Sequence, residues 1–320
     1  MKKFEGFQHG VNLGGWISQF AEYDTKHFDT FITETDIARI RDMGFDHVRV
    51  PVDYNVLEDE EGVIIERGFT YLESCRKWCE KYGLNMVIDL HECFGYSFDP
   101  LKKDMDRKKF FYDDALQKRF LKLWKEIAVR FASYTKQVAF EPLNEVVLYE
   151  VADAWNLLLG KYIAMIREIA PDAYIIVGGV CYNNVQTVAL LDIPVDEKVV
   201  YNFHCYEPLT FTHQGATWTE RINPENRISY SECGCNTDFF EKEFAPALEA
   251  AKNNNTIIYC GEYGVIDRVP IDDILSWYRD IHTVFEKYGI GRCTWNYKEK
   301  DFGISDKRLD SIRNELLKYL

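Results

Sequence analysis

With 320 residues, 47% hydrophobic and 28% charged, the chain has the composition of a globular protein able to bury a sizeable core. A formal charge of −14 argues against nucleic acid and anionic membranes as partners, and it does not repel neutral sugars. No run reaches the ~18 apolar residues of a membrane span, and Lys2 and Lys3 precede no apolar signal segment, so the expectation is a soluble protein, either cytoplasmic or of unknown location; a monomer is expected.

In chain order, residues 7–13 read as a first strand, followed by Gly14-Gly15-Trp16 turning into a loop. Thr33 with Asp36 three residues later opens a helix whose apolar stripe is Ile37, Ile40 and Met43, and Gly44 stops it. Residues 45–50 form a second strand closed by Pro51. A helix from about residue 70 carries Leu72, Cys75, Cys79 and Tyr82 on one face, with Gly83 as its stop. The third strand, 84–90, leads to His91. A helix marked by Leu116, Phe120, Leu123, Ile127 and Phe131 precedes a fourth strand at 138–144. The next helix carries Trp155, Leu158, Tyr162 and Ile169. A fifth strand at 174–178, a short helix near 185–191 and a sixth strand at 198–206 follow.

Residues 207–238 are long, aromatic and without clear period, the signature of a functional or mobile loop. A helix at 239–252 contains Pro246. A seventh strand at 256–261, an amphipathic helix at 271–287, an eighth strand at 290–296 and a last helix at 308–320 complete the chain. Eight strands alternating with helices imply parallel pairing, and eight such repeats fit a closed (β/α)₈ barrel, a TIM barrel, better than an open sheet. No linker divides the chain, so 1–320 reads as a single domain with a loop insertion at 207–238. Gly14-Gly15 lacks the third glycine of a dinucleotide fingerprint.

Nine cysteines, an odd number, lie mostly in apolar periodic segments, which favours reduced, core-packed thiols. Cys233-Gly234-Cys235 is the one loop pair.

The organising segment is Ala139-Phe140-Glu141-Pro142-Leu143-Asn144-Glu145, an apolar strand ending in an amide and a carboxylate. A carboxylate at a buried strand end costs several kcal/mol unless it is partnered. Ile257-Ile258-Tyr259-Cys260-Gly261-Glu262 repeats the design. Two such carboxylates are what acid/base cleavage of a glycosidic bond requires. Other polar or aromatic residues also fall at carboxyl ends of strands: Arg49, His91, His204, Tyr206 and Trp295. In a barrel these converge on the face where active sites are built. Taken singly, Arg49 reads equally as a structural partner of a buried carboxylate, and His91 or His204 as a satisfied core histidine. Glu141, two residues before Glu145, reads as structural and deeper in the barrel.

These segments, with Gly10-Val11-Asn12-Leu13-Gly14-Gly15-Trp16, His47-Val48-Arg49-Val50-Pro51, Asp89-Leu90-His91, Asn202-Phe203-His204-Cys205-Tyr206, Gly261-Glu262-Tyr263-Gly264 and Thr294-Trp295-Asn296-Tyr297, resemble glycoside hydrolase family 5. The likeness runs in order from about residue 6 to residue 300 and is nearest to clostridial-type cellulases with an insertion after strand six. It departs at Glu92, where many relatives have a second histidine. The resemblance implies a retaining endo-β-1,4-glucanase, with mannan, mixed-linkage glucan or exo-acting β-1,3-glucan activity as alternatives. It implies Glu145 as general acid/base and Glu262 as nucleophile, with carboxyls about 5–5.5 Å apart. Arg49, His91, Asn144, His204, Tyr206 and Trp295 would bind substrate or support the pair, and Trp16 and Trp218 would contact sugar. The substrate would be a polysaccharide or oligosaccharide, with no cofactor and no metal. Two other classes remain: a binding barrel without turnover, and a metal-dependent hydrolase using His91, His204 and the carboxylates as ligands, although these histidines lack the paired spacing of a zinc site.

Overall fold

Strands whose residues are apolar on both faces can only be satisfied in a sheet covered on both sides. The computed structural model, which describes residues 2–320, has eight of them: β1 His9–Asn12, β2 His47–Asp53, β3 Asn85–Glu92, β4 Val138–Glu141, β5 Ile175–Gly178, β6 Val199–Cys205, β7 Ile257–Tyr263 and β8 Gly291–Thr294. They pair in sequence order, all parallel, and β8 closes on β1. Every residue of β2, β6 and β7 is buried.

Alternate residues of a strand share a face, so the barrel interior is layered. Phe4 and Phe7 stack at the bottom (4.3 Å between centroids) beneath Val87, Ala139, Ile176, Val200, Tyr259 and Cys293. One step up β2 and β4 come Arg49 and Glu141. A larger apolar core lies between strands and helices, with Trp124, Trp155 and Trp277 wholly or almost wholly enclosed.

The helix starts and stops follow local chemistry. Thr33 and Asp36 close a capping box on helix Glu34–Asp42. Gly83 ends helix Glu66–Tyr82 in the left-handed region, φ 71°, which a side chain would strain. Cys75 and Cys79 on that helix are buried in the core.

Several expected boundaries differ. The second strand does not close at Pro51 but runs on to Asp53, because Val52 bridges Ile17 and Asp53 N–H reaches Ile17 O (3.0 Å). The helix expected from about residue 70 already begins at Glu66. The fourth strand stops at Glu141 rather than 144, because Pro142 has no N–H to continue the ladder. Asn144 N–H still reaches Leu90 O (3.1 Å), and Trp124 Nε1 donates to Pro142 O (2.8 Å), so the bend leading to Glu145 is held from both sides. The last helix is not continuous: a 3₁₀ turn at Lys307–Leu309 and a short helix Arg313–Leu316 replace it. The Arg313 guanidinium bonds the carbonyls of Ile304, Ser305 and Asp306, tying this stretch to the preceding loop.

Between β6 and helix Thr237–Asn253, the chain contains one short helix, Leu209–Thr212. Gln214 and Ile228 exchange bonds (3.0 and 3.1 Å) that bring the two arms of this segment together. Tyr230 anchors it by donating to Asp280 at 2.6 Å. No helix among the described residues is long and apolar enough to cross a membrane.

Candidate active site

The strand ends open into a cavity of about 610 Å³ lined by Glu145, Glu262, His91, Tyr206 and Trp295. Glu262 on this wall is held from within the barrel by Arg49, which has no exposure at all. An isolated buried cation would cost several kcal/mol, so the charge has to be matched on the spot. All five of its N–H groups are used. Nε and Nη2 grip Glu141 (2.7 and 2.9 Å), Nη1 donates to Asn12 (2.9 Å) and Glu262 (2.8 Å), and Nη2 also donates to Asn144 (2.8 Å). Asp89 lies 3.0 Å from Nη2. Glu141, read from sequence as structural, is the bidentate partner of this arginine and also accepts from Asn202 (3.0 Å).

Glu262 arrives at the rim through two register shifts, between Phe203 and His204 on β6 and between Cys260 and Tyr263 on β7. Such bulges re-aim side chains. Its second oxygen accepts from Tyr206 OH at 2.9 Å. Glu145 has a different environment. Oε1 faces His204 Nδ1 at 2.7 Å, and burial raises the carboxyl to about 7 against the opposing pull of Arg49 and then Arg221. His204 Nδ1 is also 3.7 Å from Glu262 Oε2. One oxygen of each glutamate and this ring nitrogen all lie within 4.8 Å of one another.

Burial lowers His204 to about 4 and His91 to about 3, so both rings are neutral near pH 7. His91 Nδ1 bonds Asp89 (2.6 Å), and burial lifts Asp89 to about 7. The ring of His91 lies parallel to Trp295 (5.9 Å, 5°), and its Nε2 has no protein partner. Trp295 is pressed against Gly14, where a Cβ would stand 2.5 Å from the indole; glycine is needed there for close approach.

Arg49, His91, Asn144, Glu145, His204, Tyr206, Glu262 and Trp295 are therefore brought together. Trp218 lines the same cavity, with Leu209, His213 and Arg221 from the segment after β6. Trp16 does not reach it. This residue, expected at the sugar, is fully buried, donates Nε1 to Phe28 O (2.7 Å) and packs edge-on against Tyr71. Its large apolar surface is satisfied by the core, which leaves none for a ligand.

Sequence reasoning missed Tyr96, whose hydroxyl bonds Glu145 O (2.7 Å) and Val147 N–H (2.9 Å). It also missed Asn183, and it left Asp89 and Glu92 without a role. Asp53 and Glu92 face each other across β2 and β3, and both line the cavity. Burial, then the charge of Glu92, lifts Asp53 to about 8. Only the pairing of the strands could have revealed that relationship. The Glu145, His204 and Glu262 atoms are near enough to share a metal ion. However, Glu262 is already bonded by Arg49 and Tyr206, and the adjacent guanidinium repels a second cation.

A family description, cellulase (glycosyl hydrolase family 5), matches residues 8–301. Cellodextrinase A of Ruminococcus flavefaciens is 44% identical over 292 residues, covering 91% of this chain and 86% of that protein. Endoglucanase C of Acetivibrio thermocellus is 36% identical over 98% of both chains. Thermotoga maritima Cel5A, solved with cellobiose and also with mannotriose, superposes with a TM-score of 0.81 at 25% identity, over 98% of this chain and 97% of that one.

Proposed function

The chain belongs to glycosyl hydrolase family 5 and is a glycoside hydrolase; from that premise we propose that it is a retaining endo-β-1,4-glucanase with Glu262 as nucleophile and Glu145 as general acid/base. The observation that carries the mechanism is the closeness of the two carboxylates, one oxygen of each within 4.8 Å of the other. Retaining enzymes hold their pair about 5–5.5 Å apart, whereas inverting ones leave about 6.5–9.5 Å for a water.

The two environments divide the labour. Glu262 receives Arg49 and Tyr206, donors that suit an anion poised to attack the anomeric carbon. Glu145 holds its proton to about 7 and delivers it to the departing glycosidic oxygen. Once Glu262 is esterified, its negative charge is gone, and Glu145 can take a proton from the water that releases the sugar. Asn144, with its amide oxygen on Arg49, presents its nitrogen to the sugar 2-hydroxyl, and His91 offers Nε2 to another hydroxyl. Trp295 supplies an apolar face at the cleavage point. All these groups come from one chain, so a single copy suffices.

The β-1,4-glucan preference rests on the likeness to a cellodextrinase and an endoglucanase. Mannan is the second substrate to consider, because Cel5A accommodates mannotriose. The test is a rate panel on carboxymethyl cellulose, mixed-linkage glucan, glucomannan, mannan and laminarin. The anomeric form of the first product is followed by NMR, with Glu145→Gln, Glu262→Ala and EDTA-treated controls. Activity on β-1,4-glucans that both substitutions abolish, EDTA spares and a β product accompanies is the expected result. An α product would overturn the mechanism, and loss with EDTA would point to the metal-dependent alternative.

A further inference from the structure

Three consecutive non-glycine residues after β5, Cys181, Tyr182 and Asn183, hold left-handed backbone, with φ of 55°, 64° and 51°. Each such residue costs about 1–2 kcal/mol, and a run of three persists only where its surroundings over-determine it. Here Tyr182 N–H reaches Val146 O (3.1 Å), while Asn183 O accepts from His204 N–H (2.9 Å). The turn is thus pinned to the end of the Glu145 segment on one side and to β6 on the other.

Its product is the placement of one side chain. Asn183 is 1% exposed, and its amide nitrogen donates to Asn144 O at 2.6 Å. That contact settles which end of the amide is nitrogen, since an oxygen there would face another oxygen. The same nitrogen stands 3.4 Å from His204 Nε2. An amide nitrogen donates and does not accept, so the ring nitrogen facing it is the acceptor. The proton of the neutral ring is then on Nδ1, 2.7 Å from Glu145 Oε1.

We propose that Asn183 is a positioning residue for proton transfer: by holding His204 as its Nδ1–H tautomer, it keeps the proton of Glu145 on Oε2, facing the glycosidic oxygen. In the other tautomer Nδ1 would be an acceptor, and protonated Glu145 would turn its hydrogen toward the ring and away from substrate. The charged and titratable groups acting on His204 are Glu262, Arg49, Glu141 and His91, besides Glu145. None of them bonds Nε2; Asn183 does. The inference rests on Glu145 being the acid/base, and its test separates the two ideas.

The first measurement is a long-range ¹H–¹⁵N spectrum of the unmutated protein, with His204 identified by the signals lost in His204→Gln. A protonated Nδ1 and bare Nε2 at neutral pH are expected, and the reverse pattern overturns the proposal. The second is kcat/KM on phenyl and dinitrophenyl β-cellobiosides, which differ in their need for acid assistance. Asn183→Asp, which places an acceptor against Nε2, should lose about 100-fold on the phenyl substrate and no more than about threefold on the dinitrophenyl one. Asn183→Gly keeps the left-handed backbone without the amide and should show the same selectivity at about tenfold. Equal losses on both substrates would make Asn183 merely structural and sink the proposal. Should Asn183→Asp fail to fold, the glycine variant and the spectrum decide. Glu145→Ala, run alongside, should discriminate between leaving groups more strongly. If it does not discriminate, or if the parent hydrolyses neither cellobioside, the functional reading fails while the tautomer stands or falls on the spectrum.

Discussion

Arg49 Nη1 and Glu262 Oε1 are 2.8 Å apart, and the same guanidinium grips Glu141 with Nε and Nη2. One planar cation thus joins the barrel's buried charge to the carboxylate that we assign as nucleophile. A lysine cannot reproduce this, because an ammonium has three donors and no fork. Arg49→Lys should lower stability by about 3–5 kcal/mol, the range for breaking a buried ion pair. Activity should fall at least about 100-fold, equivalent to about 2.7 kcal/mol of lost transition-state stabilisation. Denaturant unfolding and steady-state rates on one preparation check both. A stable, active variant would mean that the bidentate geometry has no role.

The alkaline limb of kcat/KM should fall near pH 7. As the proposed acid, Glu145 would act only while protonated, and burial raises it to about 7. The same shift works against the fold. Glu145 keeps its proton in the folded state, while the unfolded chain ionises it from about pH 4.3 upward. Glu145→Gln should therefore stabilise the protein by an amount that grows between about pH 4 and pH 7 and then levels off. A pH series of unfolding midpoints reads this directly. An alkaline limb unmoved in Glu145→Gln, measured on a dinitrophenyl glycoside, would assign the limb to another group.

Asp53, on the wall of the same cavity, offers the same logic. Burial and then Glu92 lift it to about 8, so its folded-state cost builds from about pH 4 and is complete above pH 8. Asp53→Asn should raise the unfolding midpoint at pH 8 and leave it nearly unchanged at pH 4. A benefit independent of pH would indicate packing instead of charge.

The two loop tryptophans should separate cleanly. Trp16→Phe removes the bond to Phe28 O and core volume, and should cost about 1–3 kcal/mol of stability with KM unchanged. Trp218→Ala, on the cavity wall, should leave the unfolding midpoint in place and raise KM for cello-oligosaccharides roughly tenfold, about 1.4 kcal/mol of lost contact. The reverse pattern would restore Trp16 to the sugar and remove Trp218.

What the sequence determined by itself was local and periodic. Short apolar runs announced eight strands, and apolar stripes spaced three and four residues apart announced their helices, because both patterns are written in neighbouring residues. Polar groups closing those runs announced the rim: Glu145, His204 and Glu262 stand out since a strand end otherwise has no use for buried charge. The tertiary structure alone decided which way Trp16 faces, since both cleft and core accept an indole and only the packing of Phe28 and Tyr71 chooses. It alone showed Tyr96 on the Glu145 carbonyl and Asp53 opposite Glu92. Asn183 is the clearest case, lying 39 residues from Asn144 and 21 from His204 along the chain. Its role depends on two contacts that exist only after the barrel has closed, and no pattern of residue types along a chain encodes such contacts.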